Sequence, residues 1–326
     1  MGRANAAYYA TRDPFADFTT APELSQAFGE ILGLWATIVW QSTGCPDPVM
    51  LAEAGPGRGT LMADALRAID RAAPDFAAAL RVQLVETSQR LRGIQEKKLS
   101  GLTRSLLHWH DTLSDIPTGP MILLANEFLD ALPIRQFVHR GAGWMERFVK
   151  AGAFRECPAD PPMRGGRASD AGEGEVVEIC EPALAFAGEL GQRLRVQGGA
   201  ALFIDYGPEN SANGESLQAL RDGDPADPLA NPGIADLTAH VDFSAIADAA
   251  RAAGALVHGP VTQGRFLTRL GLMHRTIALA RTQPPRQASA LMQTAQRLTE
   301  PDQMGQLFKV LAVCHPGLPI PPGFEA

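Results

Sequence analysis

Carboxylates that follow short apolar runs are the residues of this chain most suited to chemistry: Glu53, Glu86, Asp111, Glu127 with Asp130, and Asp205. A carboxylate at the end of a buried strand can accept hydrogen bonds from hydroxyls, hold a cation or take a proton. Glu53 is the most informative, because Gly55, Gly57 and Gly59 follow it within Glu53-Ala54-Gly55-Pro56-Gly57-Arg58-Gly59-Thr60. Glycines there let the backbone turn sharply and come within contact distance of a ligand. The N-terminal N–H groups of the helix expected over about 60–73 point back at the same place. Spacing excludes two ligand classes. A dinucleotide fingerprint, G-x-G-x-x-G, needs its third glycine where Thr60 stands, and a phosphate-cradling P-loop needs a Lys that this turn lacks. An acid two residues ahead of the first glycine suits a ligand with a cationic amino-acid moiety and ribose hydroxyls, and S-adenosylmethionine (SAM) fits that description. The competing reading is an ordinary strand-to-helix turn.

The other strand-end residues fill out such a site. Glu86, closing Gln83-Leu84-Val85-Glu86, can accept from vicinal ribose hydroxyls. Trp109 and Asp111 offer an aromatic face for a base and an acceptor for its amino group. Asn126-Glu127-Phe128-Leu129-Asp130-Ala131-Leu132-Pro133 sets an amide and two carboxylates directly after an apolar run. We take Glu127 and Asp130 as the catalytic candidates and Asn126 as a cofactor contact. Methyl transfer from a sulfonium needs a nucleophile in line with the methyl group. If that nucleophile is a guanidinium, with a pKa above about 12, a carboxylate must orient it and take its proton, and a bidentate partner does so best. Asp205 is a further substrate-side group or a turn residue, and Asp242 is the N-cap of a helix that His240 precedes. The structural alternatives are a solvated terminus for Glu86, a core role for Trp109, and helix caps for Glu127 and Asp130. His108 and His110 lack the further ligands of a metal site, and no metal is expected.

These residues need a scaffold that gathers strand ends. Short apolar runs at 49–53, 81–86, 105–110, 120–126, 200–205, 255–258 and 307–313 alternate with helical stretches, the pattern of a mostly parallel sheet covered on both faces. The expected fold is therefore α/β, Rossmann-like and seven-stranded, with ligands beyond the carboxyl ends of the strands. Thr20-Ala21-Pro22-Glu23 has the spacing of a capping box and opens an amphipathic helix to about 40. Two segments interrupt the alternation. Residues 136–180 contain a hairpin signal around Gly141 and Gly143 and a Pro/Gly-rich stretch, 157–174, expected as a mobile loop. Residues 262–300 read as helices forming a cap. The organisation expected is an N-terminal segment and helix over the cofactor site (1–48), a catalytic domain with two insertions (49–313), and a tail (314–326).

Bulk composition narrows the class further. A 45% apolar content supplies a sizeable core, and a net charge of −7 provides no attraction to nucleic-acid phosphates. Cys45, Cys157, Cys180 and Cys314 are scattered and read as reduced thiols. No apolar run approaches the ~18 residues of a membrane span, and the start lacks the apolar core of a secretion signal. The expectation is a soluble cytoplasmic protein without nucleic-acid partners, with homo-oligomerisation left open.

Four motifs carry a family resemblance: the Glu53 to Thr60 turn, the Asn126 to Pro133 loop, Arg12-Asp13-Pro14-Phe15 with Phe18-Thr19-Thr20-Ala21-Pro22-Glu23, and Met304-Gly305-Gln306-Leu307-Phe308-Lys309-Val310-Leu311-Ala312. Together, from about residue 8 to 313, they resemble the MidA-like SAM-dependent methyltransferases, although Ala7 stands where Gly is expected before Tyr8-Tyr9. The resemblance implies a class I methyltransferase sheet with its last strand antiparallel, and SAM held by Glu53, Gly55, Gly57, Gly59 and Glu86. Its mitochondrial member is a protein arginine methyltransferase needed for respiratory complex I assembly, which implies an arginine in a protein as acceptor and symmetric dimethylation. A small-molecule methyltransferase and a non-catalytic assembly factor are the competing readings.

Overall fold

The computed structural model describes residues 1–12, 20–102, 107–141, 143–164, 167–168 and 171–325. Most of the Arg12 to Thr20 motif, and the first residues of the apolar run at 105–110, lie outside the described residues.

The seven expected strands are present: β1 (Val49–Ala54), β2 (Leu80–Val85), β3 (Leu107–His110), β4 (Met121–Asn126), β5 (Gly199–Tyr206), β6 (Leu256–Thr262) and β7 (Phe308–Cys314). They form one sheet in the order β6-β7-β5-β4-β1-β2-β3. β3, β2, β1, β4 and β5 run parallel, and β7 is antiparallel to both β5 and β6. The chain reverses its lateral direction between β1 and β4, which opens a crevice at their carboxyl ends. Side chains alternate between the two faces of the sheet, as a pleated strand requires. Val49, Leu51, Ile122 and Leu124 join one apolar core, and Met50, Ala52, Met121 and Leu123 join the other. Burial on both faces is why these strands read as unbroken apolar runs.

The helices are α1 (Gly2–Thr11), α2 (Ala21–Leu24), α3 (Gln26–Ser42), α4 (Thr60–Ala72), α5 (Pro74–Ala79), α6 (Gln89–Leu99), α7 (Glu181–Gln197), α8 (Phe243–Ala252), α9 (Gln263–Arg269), α10 (Leu272–Ala280) and α11 (Pro285–Thr299). Gly33 lets α3 cross α4 closely, since a Cβ there would lie 2.7 Å from the Ala65 carbonyl oxygen. The single helix expected from residue 20 to 40 is broken at Ser25, whose backbone is extended (φ −145°, ψ 114°). The capping box does not form: the Glu23 side chain accepts instead from the Thr60 hydroxyl.

Both insertions differ in detail from the expectation. Arg135–Arg140, Gly143–Lys150, Ala153–Ala159 and Val176–Ile179 make a four-stranded antiparallel sheet, so the stretch expected as a loop begins inside a strand and includes the short pair Met163–Arg164 and Arg167–Ala168. Gln218–Arg221, Asp224–Ala226 and Asp236–Thr238 form a further small sheet that the sequence did not signal. Helices α9 to α11 do follow β6, but their apolar stripe (Phe266, Leu267, Leu272, Ala295, Leu298) joins the core shared with α3. Arg275 of α10 grips buried Glu30 of α3 through two hydrogen bonds of 2.6 and 3.0 Å. The expected cap is thus a buttress of the sheet, because its apolar stripe finds α3 and not the crevice.

Candidate functional site

A cavity of about 550 Å³ opens at the carboxyl ends of β1, β2 and β4. Its floor is the glycine turn. Gly55, Gly57 and Gly59 take left-handed backbone angles (φ 65°, 52° and 76°). A Cβ on Gly55 would meet the Phe128 ring at 2.9 Å. Gly55 and Gly57 line the cavity. Gly59 does not: it is the N-cap of α4 and packs against Gln95 and Leu99.

Glu53 also lines the cavity and is buried, and its Oε2 has no hydrogen-bond partner among the described residues. Loss of solvent pushes its carboxyl up to about 8, against a smaller lowering by a hydrogen bond from the Met62 backbone. A buried carboxyl oxygen without a partner on a cavity wall is suited to accept from a ligand's donor. Glu86 lies beside it at the end of β2. Its Oε1 accepts from the Ser88 N–H (2.7 Å) and its Oε2 from Gln95 Nε2 (3.3 Å), and burial raises its pKa.

Gln95 is the junction of this wall. It also donates to the Gly57 carbonyl at 2.8 Å and accepts from Trp109 Nε1 at 2.8 Å. Trp109 therefore does not line the cavity as expected but holds Gln95 from behind. Asp111, expected to read the base, points to solvent and pairs with Arg92 at 2.6 Å; Arg92 in turn donates to the Glu86 carbonyl. Gln95, one turn from the end of α6, gave no sequence signal beyond its helical position.

The opposite wall is the loop after β4. Glu127 takes a left-handed conformation (φ 50°), and its half-buried side chain lines the cavity. Its Oε1 accepts from Asn126 Nδ2 (3.0 Å) and from the Ala21 N–H of α2 (3.1 Å). That second donor is the first residue of α2, so the start of the helix meets this carboxylate. Desolvation carries Glu127 up to about 7 in spite of those donors, with nearby Asp236 adding repulsion. Asn126 lines the cavity too. Asp130 is not brought there. It is buried behind the loop beside Asp205, and desolvation, then the charges of Asp205, Asp236 and Glu127, hold its carboxyl well above the usual range.

α1 and α2 roof the cavity with Gly2, Asn5, Tyr9, Thr20, Pro22 and Glu23 among its lining. Asn5 Nδ2 donates to the carbonyls of Ala131 and Leu237, both at 2.8 Å, and its Oδ1 accepts from the Leu237 N–H at 3.2 Å. The Tyr9 hydroxyl donates to Asp236 (2.8 Å), and the Tyr9 carbonyl accepts from Ser88 (3.0 Å). One helix thus ties the Glu86 side to the Glu127 side. The outcome is a pocket of carboxylates, Glu23, Glu53, Glu86 and Glu127, with Arg58 as the cation on its wall. Asp242 caps α8 as expected, its Oδ1 accepting from Ala245, and His240 lies outside this cavity.

The residues present fit SAM. The cavity has ligand-site dimensions, glycines leave room for a backbone-close ligand, Glu86 stands at the end of β2, and Glu53 presents an unpartnered acceptor to a cationic or hydroxyl-bearing group. No helix among the described residues is long and apolar enough to cross a membrane.

Comparison with known proteins agrees with this geometry. Residues 31–261 match the Methyltransf_28 family of S-adenosyl-L-methionine-dependent methyltransferases. The chain is 34% identical to the human "Protein arginine methyltransferase NDUFAF7, mitochondrial", over 94% of this chain and 76% of that one, and 33% identical to its Drosophila melanogaster homologue, over 94% and 78%. A Burkholderia thailandensis protein solved with S-adenosylhomocysteine superimposes with a TM-score of 0.75 at 28% identity, covering 95% of this chain and 81% of that one. A second structure from that organism gives 0.79 at 30%, covering 100% and 89%. These findings also correct one expectation: a cytoplasmic location does not follow, since the curated relatives are mitochondrial proteins. With the crevice, the glycine turn and the relatives in agreement, the chain belongs to the SAM-dependent methyltransferases, and SAM is its cofactor.

Proposed function

We propose that this methyltransferase modifies an arginine side chain presented by a protein, with Glu127 as the residue that engages the guanidinium. The observation that carries the reading is a carboxylate at the end of β4, in the same cavity as Glu53 and Glu86, pinned on one oxygen by Asn126 and Ala21. Bound SAM supplies an electrophilic methyl group. Glu127 orients the planar guanidinium through paired N–H···O bonds and draws positive charge away from the reacting nitrogen. Methylation of that nitrogen releases one proton, and a carboxyl poised near 7 can receive it. Carboxyls whose ionisation burial suppresses regain charge when a cation approaches, so the lining suits a cationic acceptor. The name of the human relative, a protein arginine methyltransferase, supports the same acceptor class.

In this reading Glu53, Gly55, Gly57 and Glu86 hold SAM, Asn126 holds Glu127, and Gln95 with Trp109 and Gly59 shape the cofactor wall. Residues 49–313 form the catalytic unit under a roof contributed by 1–48. The test is incubation with methyl-labelled SAM and arginine-containing peptides, followed by hydrolysis and amino-acid analysis. Labelled methylarginine is expected with wild type and not with Glu127→Gln. Label confined to small metabolites ends the arginine reading and leaves the methyltransferase intact.

A further inference from the structure

We infer that Asp205, at the end of β5, is a positioning residue that fixes the Glu127 carboxylate for the reaction by clamping the loop that carries it. The inference rests on the arginine reading for the role of Glu127, and on geometry for the clamp. Asp205 is 1% exposed. Its Oδ2 accepts from two successive backbone N–H groups of the loop, Leu129 at 3.0 Å and Asp130 at 3.2 Å, while its Oδ1 accepts from the Tyr206 N–H at 2.9 Å. One residue earlier, the Ile204 carbonyl accepts from the Glu127 N–H at 2.9 Å. Ile204 and Asp205, near the end of β5, therefore bind the loop at three points, across a stretch that begins with a non-glycine residue in a left-handed conformation. A residue at φ 50° is held by its surroundings rather than by its own preference. Take away the Leu129 and Asp130 anchors, and Glu127 is free to leave the angle at which its oxygens face the cavity.

Among the described residues no other charged side chain accepts from these two loop N–H groups. Asp130 receives one of the anchors on its own N–H and lies behind the loop, and its carbonyl accepts from the Ala239 N–H at 3.0 Å. Asp205 touches neither wall of the cavity, so its influence on catalysis passes through Glu127. Among the described residues its hydrogen bonds reach neither Glu53 nor Glu86, which predicts that cofactor affinity is nearly indifferent to it.

The experiment compares wild type with Asp205→Asn and Asp205→Ala, in the full chain, on an arginine peptide, with SAM affinity from calorimetry. An Asn carbonyl oxygen can still accept the two loop N–H groups but turns its NH2 toward Tyr206, whereas Ala removes the clamp. A misplacement of about 1 Å costs on the order of 100-fold in rate. The expected result is a kcat lower by ~10-fold in Asp205→Asn and ~100-fold in Asp205→Ala, with the SAM dissociation constant within ~2-fold of wild type. In a Glu127→Gln background, Asp205→Asn should have no further effect, because residues acting as one unit are non-additive. Wild-type kcat in Asp205→Asn, or SAM affinity falling in step with kcat, overturns the inference; so does a full additional loss in the Glu127→Gln background. Should Asp205→Ala fail to fold, the Asn variant and the double mutant decide. Should wild type label a different acceptor, the arginine reading falls, and the same ratios measured on that acceptor decide the clamp.

Discussion

Glu53 is a buried acid that this fold keeps at a cost to its own stability, and the cost can be measured. Burial raises its carboxyl from the ordinary 4.5 to about 8. A folded-state pKa above the unfolded one means that folding favours the protonated form. The contribution is most favourable below about 4.5 and is lost as pH rises through about 8. At pH 6 the folded Glu53 is almost wholly protonated and at pH 8 about half ionised, while in the unfolded chain it is ionised at both. Integrating the proton difference over that interval gives a loss of about 2 kcal/mol of stability attributable to this one group. Glu53→Gln removes the titration and keeps the shape.

The assay is urea denaturation of ligand-free wild type and Glu53→Gln at pH 6 and pH 8. Relative to the variant, wild type should lose about 2 kcal/mol between the two pH values. Parallel behaviour, with the gap between the two proteins constant to within ~0.5 kcal/mol, would refute the claim that burial of Glu53 outweighs the hydrogen bond it receives. Calorimetry on the same pair supplies the functional half. A hydrogen bond to a charged group contributes ~1.5–3 kcal/mol, so Glu53→Gln should bind SAM on the order of 10- to 100-fold more weakly while being the more stable protein at pH 8. A variant that gains stability and keeps SAM affinity would mean that the orphaned Oε2 faces nothing in the complex.

Three further outcomes are expected. Glu127→Gln should lower kcat by ~10²–10⁴ with SAM affinity nearly unchanged, and the wild-type rate should climb with pH through about 7 as the carboxyl ionises, a limb absent from the variant; a pH–rate profile that persists in the variant would assign the titration elsewhere. Gly55→Ala forces Ala to φ 65° and puts its Cβ 2.9 Å from the Phe128 ring; left-handed strain of ~1–2 kcal/mol, relieved by a shift of the glycine turn itself, should weaken SAM binding by about 10-fold, and wild-type affinity in calorimetry would contradict it. Trp109→Phe removes the N–H that holds Gln95; a several-fold weaker SAM affinity with kcat preserved at saturation is expected, whereas a large fall in kcat would place Trp109 at the reaction itself.

What the sequence disclosed follows from how strands and loops encode position. Val49 to Ala54 and Met121 to Asn126 are buried on both faces, so their apolar runs announce both the strand and its end, and with it the crevice where Glu53, Glu86, Asn126 and Glu127 meet. The glycine turn was legible for the same local reason: residues with no Cβ stand where a backbone must come close. Direction beyond a strand's end is not local. Trp109 lies near the end of β3 and Asp111 follows it as Glu86 follows β2, yet α6 comes between them and the cavity: Gln95 takes the Trp109 N–H, and Arg92 draws Asp111 outward. Asp130 is three residues from Glu127, but only Glu127 lines the cavity, while Asp130 is buried beside Asp205. Glu23 has the spacing of a capping box, and only the fold shows that Thr60, 37 positions later, takes its carboxylate. The roof was hardest to foresee, because Asn5 acts through backbone groups of residues 131 and 237, a pairing that no period in the sequence encodes. Groups at strand ends were readable; groups held by a neighbouring element were not. Asp205 belongs to both classes. Its place at the end of β5 marked it as a candidate, and its partners, two backbone N–H groups in a loop 75 residues upstream, turn it from a substrate contact into a clamp.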